Sequence, residues 1–149
     1  MGCMYTVVFI GHGRVYRLDD DKLKAVIKTA IDNGAELFLN GGMGDFDYIC
    51  ARIVKSLQKD YPHVKSELVI PYLTFKPRSM DCFDSSVYPD GFEKYHFKAA
   101  IGARNKWMVN QSQLAICYVD HDWGGAVETF RYAVKKNLEI INLGSYEVE

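Results

Sequence analysis

Several devices that often announce a function are missing from this sequence. Its four cysteines, Cys3, Cys50, Cys82 and Cys117, form no Cys-x-x-Cys pair, and two of them sit inside apolar runs. That is the pattern of buried free thiols in a reducing compartment; a disulfide framework is spaced differently. A charge excess is missing too: 18 basic and 19 acidic residues are interleaved and leave a net charge of −1. Domains that track long nucleic acid carry a basic surplus, so nucleic acid is not an expected partner. A small anion needs only a local positive field, and that class stays open. No apolar run approaches the ~20 residues that span a bilayer, and no basic segment precedes an apolar stretch at the start of the chain. The expectation is a soluble cytoplasmic protein with no membrane association. Repeats, linkers and low-complexity segments are also lacking, which makes residues 1–149 one expected domain.

What is present is an alternation of short β-branched runs with longer amphipathic ones. Tyr5–Ile10 stops at Gly11 and reads as a strand buried on both faces. Asp19-Asp20-Asp21 supplies a cap and an acidic first turn for a helix whose stripe is Leu23, Val26, Ile27, Ala30 and Ile31, with Gly34 as its stop. Further strands are expected at Glu36–Leu39, Glu67–Ile70, Ser86–Tyr88, Leu114–Val119 and Ile140–Leu143. Helices are expected from Gly44 to Lys59, from Tyr95 to Gln111 and from Gly125 to Lys136, with Asn137 as a left-handed stop. Alternating strands and helices imply right-handed crossovers. The expected fold is therefore a Rossmann-like, doubly wound α/β domain. Its mainly parallel sheet has five or six strands, with helices on both faces. The stretch from Tyr72 to Glu93 reads as a long loop, either a functional lid or a mobile insertion.

Sheets of this kind bind ligands beyond the carboxyl ends of their strands, and the glycine-rich turns fall there. Gly41-Gly42-Met43-Gly44 opens straight into a helix, where bare backbone and a positive helix end suit a phosphate. It is not a P-loop, for no Gly-Lys-Ser/Thr follows, and Gly11-His12-Gly13-Arg14 lacks the third glycine of a dinucleotide fingerprint. Trp123-Gly124-Gly125 also joins a strand to a helix, and Trp123 is placed either to stack on a base or to cap the core. Arg104 interrupts the apolar stripe Phe97, Ile101 and Met108, so it needs an anionic partner or a route to the surface. His12 is a turn histidine open to phosphate contact or acid–base work. Asp120-His121-Asp122 carries ligand atoms, but adjacent residues rarely converge on one ion, and no metal site is read.

Five segments in order give the chain a family likeness. They are Phe9–His12, Gly41–Asp47, Val69–Tyr72, Arg104–Val109 and Gly124–Thr129. With them the sequence resembles the SLOG superfamily, in particular its YpsA-like branch, over most of its length from about Val7 to Leu143. The resemblance implies a Rossmann-like domain that binds nucleotides, nucleotide sugars or related signals, and that self-associates as a homodimer or higher assembly. In the related LOG enzymes an arginine in an Arg-Lys helix works with a glutamate after a Pro-Gly-Gly-x-Gly-Thr turn to hydrolyse cytokinin nucleotides. That pattern maps the arginine onto Arg104 and the glutamate onto Glu128. Here the turn lacks the proline and the Gly-Thr, and Asn105 replaces the lysine.

The expected function is thus binding, and by extension sensing, of a nucleotide-derived small molecule, with no required cofactor. The expected ligand contacts are Gly11, His12, Arg14, Gly41, Gly42, Met43, Gly44, Asp47, Pro71, Tyr72, Asn105, Trp123, Gly124, Gly125 and Thr129. The alternative is an N-glycosidase acting on nucleoside monophosphates or nucleotide sugars through Glu128 and Arg104. Single-stranded DNA binding, as in the DprA relatives, is third.

Overall fold

The computed structural model, which describes residues 4–147, contains six strands and four α-helices, alternating except between the third and fourth strands. The expected Cys3 thiol lies outside the described residues. The strands are β1 (Thr6–Gly11), β2 (Leu37–Asn40), β3 (Lys65–Val69), β4 (Ser85–Val87), β5 (Leu114–Tyr118) and β6 (Glu139–Asn142). The helices are α1 (Asp20–Asp32), α2 (Asp45–Leu57), α3 (Phe97–Asn110) and α4 (Gly125–Lys135). All pairings are parallel, and the order across the sheet is β4-β3-β2-β1-β5-β6. The fold is Rossmann-like α/β, as the alternation predicts. No helix among the described residues is long and apolar enough to cross a membrane.

The two-residue period of the central strands sets the layers. Val7 and Phe9 of β1, with Leu114, Ile116 and Tyr118 of β5, face a core shared with α1 and α2. Val8 and Ile10, with Ala115, Cys117 and Val119, face the opposite core under α3 and α4. Phe9 anchors the first core, stacked on Phe38 at 5.6 Å between centroids and edge-on to Phe46 at 6.3 Å. Such aromatic pairs add about 0.5–1.5 kcal/mol beyond the area they bury.

Helix ends follow the sequence signals closely. The Asp19 side chain accepts from the Lys22 amide and caps α1, while Leu23, Ile27, Ala30 and Ile31 are its buried positions. Asn137, at φ 62°, ends α4 in the left-handed region. In α3 the stripe differs from expectation at its first turn: Phe97 is 64% exposed, and Ala100 takes the core position. Phe97 packs instead on Tyr72, 4.5 Å away between ring centroids.

The long connection between β3 and β4 replaces a crossover helix. It carries Cys82 and Phe83 into a small core with Tyr48, Ala51 and Leu68. The Arg78 amide donates to the Tyr48 hydroxyl at 2.8 Å, and the Arg78 guanidinium pairs with Asp45 at 2.9 Å. This segment is thus a packed crossover over α2. Its prolines and polar residues hide that role, because it has no helical period to read.

Two alanine substitutions should move stability in opposite directions. A Cβ at Gly44 would stand 2.6 Å from the Gly13 Cα, a backbone atom that cannot give way, whereas one at the exposed Gly102 of α3 meets nothing within 4 Å. Chemical denaturation should show Gly44→Ala losing about 1–3 kcal/mol and Gly102→Ala gaining up to roughly 1 kcal/mol.

Candidate functional site

The chain adds strands outward from β1 to β4, then returns through α3 to place β5 on the other side of β1. The turns after β1 and β5 therefore lead in opposite directions and leave a crevice between them. A cavity of about 230 Å³ opens there. Phe9 and Ile10 give it apolar surface, and Gly11, Gly13, Gly41, Gly44 and Gly125 give it bare backbone. Met43, Asp47, Arg104, Asn105 and Thr129 supply the remaining expected side chains.

The Gly41–Gly44 turn spends its amides within the protein. The Gly42 N–H donates to Asn40 Oδ1 at 2.8 Å, and the Met43 and Gly44 N–H groups donate to Asp47 Oδ2 at 3.0 and 3.4 Å. The Asp45 N–H donates to the Gly13 carbonyl at 2.8 Å. Asp47 thus already occupies the anion position at the start of α2 that the sequence assigns to a phosphate. The glycines answer to packing: Gly44 lies against Gly13, Gly41 against the Arg104 guanidinium, and Gly42, at φ 63°, against Leu68. Burial raises the Asp47 carboxyl above its ordinary pKa, opposed by the two amides and by the charge of Arg104. Its Oδ1 accepts no hydrogen bond from the described residues and is not among the sealed, unsatisfied atoms. It is the acceptor left to the cavity.

Arg104 is the largest fully buried side chain, 1% exposed. Its Nη1 donates to the carbonyls of Gly41 at 3.0 Å and Val69 at 2.8 Å, and its Nε donates to Asn105 Oδ1 at 2.8 Å. Nη2 donates to Met43 Sδ at 3.0 Å, a weak acceptor, and retains a second N–H. No carboxylate among the described residues forms an ion pair with it. Burial pulls its pKa down to about 10, so it stays charged at neutral pH. The cavity wall therefore holds a desolvated cation satisfied almost wholly by neutral acceptors.

The start of α4 is arranged differently from that of α2. Gly124, the N-cap at φ 95°, has no side chain to cap the helix. The amides of Gly125, Ala126 and Val127 find no acceptor among the described residues. Gly125 and Ala126 line the cavity, and a Cβ at Gly124 or Gly125 would meet nothing within 4 Å. Three open N–H groups at a helix N-terminus make a ready anion site. Thr129 also lines the cavity, its hydroxyl donating to the Gly125 carbonyl at 2.9 Å. Glu128, one residue earlier, is exposed and does not line it. The helix rotation of about 100° per residue separates the two. Arg104 and Glu128, paired in the sequence reading, are not brought together.

A second basin of about 410 Å³ adjoins the first and shares Gly11, Gly13, Gly125 and Ala126 with it. It gathers the expected His12, Arg14, Trp123 and Gly124, together with Tyr16 and His121, which sequence reasoning did not assign to a ligand. Gly42, Pro71 and Tyr72 line neither basin; the Gly42 carbonyl accepts from the Tyr48 hydroxyl at 2.8 Å, and Pro71 is buried. His12 is 7% exposed, and its Nε2 accepts the Asp120 N–H at 3.2 Å, so its proton sits on Nδ1. The His12 and His121 rings stack at 3.5 Å and 11°, and His121 Nδ1 lies 2.7 Å from Asp120 Oδ1. His12, Asp120 and His121 offer ligand atoms within 4.8 Å of one another. Yet two near-parallel imidazole planes 3.5 Å apart do not converge on one ion, which sits in the plane of each ring it binds.

Two measurements check this reading. Burial, and next the charge of His121, lower the His12 pKa below 6.5, opposed by Asp120. A depressed pKa contributes stability above the unfolded value that is lost as pH falls through the folded one. Melting temperatures should therefore drop below about pH 6.5 more steeply for the native chain than for His12→Asn. Asp47→Ala should cost about 1–3 kcal/mol in urea denaturation, since it strands two amides.

The family model described as the YspA SLOG family, named YpsA, matches residues 12–146. A search of curated proteins finds no match. Among solved structures the chain is similar to DNA processing protein A from Streptococcus pneumoniae, with 16% identity and a TM-score of 0.70 over 98% of this chain and 52% of that one. The DNA processing protein A from Helicobacter pylori, described for its single-stranded DNA binding mode, gives 20% identity and a TM-score of 0.69 over 99% and 68%. A molybdenum cofactor binding protein from the phototrophic bacterium Rippkaea orientalis gives 16% identity and a TM-score of 0.65 over 96% and 78%. This chain spans about half the length of the Streptococcus protein. At these identities the likeness is one of fold, and the family assignment rests on the sequence match: the chain belongs to the YpsA family of SLOG domains.

Proposed function

We propose that the cavity binds the phosphate of a nucleotide or nucleotide-derived small molecule, and that the protein acts as a binding or sensory domain. One observation carries this reading: a guanidinium 1% exposed, without a carboxylate partner among the described residues, lines the same cavity as the open amides of Gly125 and Ala126. A buried cation and a positive helix end facing one space favour an anion there. The phosphate takes the α4 amides and the remaining Nη2 proton of Arg104. The Asp47 Oδ1 acceptor suits a hydroxyl or amino donor of the same ligand, because a second anion beside it is repelled. A nucleotide supplies both chemistries, the anion from its phosphate and the donor from its sugar or base. The molybdenum cofactor named for one structural neighbour is a ligand of related chemistry on a similar fold. Binding is preferred to hydrolysis because Glu128 stands outside the cavity, while Asp47 is held by two amides. Self-association completes the proposal, and native mass spectrometry reads it directly.

Thermal shift and calorimetry against nucleoside mono- and diphosphates, cyclic nucleotides, NAD and ADP-ribose test the site. At least one of these should raise the melting temperature in a concentration-dependent way, and a flat response across the panel overturns the reading. Gly125→Pro removes one open amide at the first helical position, where proline is tolerated. It should weaken the responding ligand by about tenfold or more, with little change in the melting temperature of the free protein.

A further inference from the structure

The second basin contains a column of three rings. His12 is its buried base, fixed by the Asp120 amide on Nε2. His121 lies on it at 3.5 Å, and Trp123 lies on His121 at 3.8 Å and 32°. Trp123 is 67% exposed and, among the described residues, stacks on no ring besides His121. Its other π-face is therefore open to a ligand. The column therefore presents a flat aromatic face, backed and oriented from behind, at the mouth of a basin of about 410 Å³.

We infer that this face is the stacking platform for the planar ring of the ligand whose phosphate sits at α4; the inference rests on the phosphate reading above. Chain geometry links the two positions. Trp123 is two residues before Gly125, so their Cα atoms are at most roughly 7.6 Å apart. That is the scale separating the base and phosphate of one nucleoside 5′-phosphate. The two basins share Gly11, Gly13, Gly125 and Ala126, so one ligand can reach from one into the other. Tyr16, 78% exposed, and Arg14 line the same basin from the turn after β1. They offer a second aromatic face and a cation to the ring. The ligand class is accordingly a nucleoside phosphate with its base on Trp123. Stacking of this kind tolerates different bases, since each has a π-face.

Calorimetry with adenosine 5′-monophosphate, uridine 5′-monophosphate and ribose 5-phosphate tests it, alongside Trp123→Ala, Trp123→Phe and Phe97→Ala. Both nucleotides should bind the native chain about tenfold or more tightly than ribose 5-phosphate and quench its tryptophan fluorescence. Trp123→Ala should erase that advantage and leave ribose 5-phosphate binding unchanged. Trp123→Phe should keep most of the affinity while losing the quench, and Phe97→Ala, near the other flank, should change neither. Equal binding of nucleotides and ribose 5-phosphate, or an advantage that survives Trp123→Ala, overturns the platform and leaves the phosphate site standing. No binding of any of the three overturns the phosphate site and the platform with it.

Discussion

The Arg104 guanidinium is the constraint around which the ligand end of the molecule is built. It reaches from α3 to the carbonyls that end β2 and β3, at Gly41 and Val69, and so pins a helix to two strand ends at once. Burying a cation this completely is costly unless its donors are matched. Four acceptors, two carbonyls, one amide oxygen and one thioether, meet that demand without cancelling the charge. Gly41 follows directly, because the guanidinium lies where its side chain would be. Its positive charge is left without an ion-pair partner among the described residues.

The two glycine turns look alike in sequence and behave oppositely. At α2 a carboxylate three residues into the helix folds back onto the amides, closing the terminus and locking the turn against Gly13. At α4 the corresponding third residue is Val127, which has no polar group to fold back, and the terminus stays open. One helix end is thus a structural clamp, and the other keeps its amides open. The open end lies where the turns after β1 and β5 separate, at the switch in strand order. A sheet that winds in both directions concentrates its uncommitted backbone there.

Much of the architecture was legible beforehand because it rests on local rules. Strand runs such as Leu114–Tyr118, the Asp19 cap and the Asn137 stop each follow from the chemistry of a few neighbouring residues. The connection between β3 and β4 was not legible. Its packing of Cys82 and Phe83 against α2 is a long-range event with no periodic signature. Phe97 failed as a core residue for a similar reason: it is 64% exposed and packs on Tyr72, a contact that no periodicity signals.

For the site, the sequence by itself determined which residue types meet at one sheet edge. Glycine turns follow strand ends, and an arginine on an apolar helix face has to find acceptors. Tertiary structure alone decided which of these groups remained free. The Arg104 guanidinium, for one, is met by the carbonyls of Gly41 and Val69, which lie 63 and 35 residues away along the chain. The stack of His12, His121 and Trp123 likewise exists only because β1 and β5 are neighbours in the sheet. Residue identity sets the chemistry available; three-dimensional pairing decides which of it is spent on the fold and which is left for a ligand.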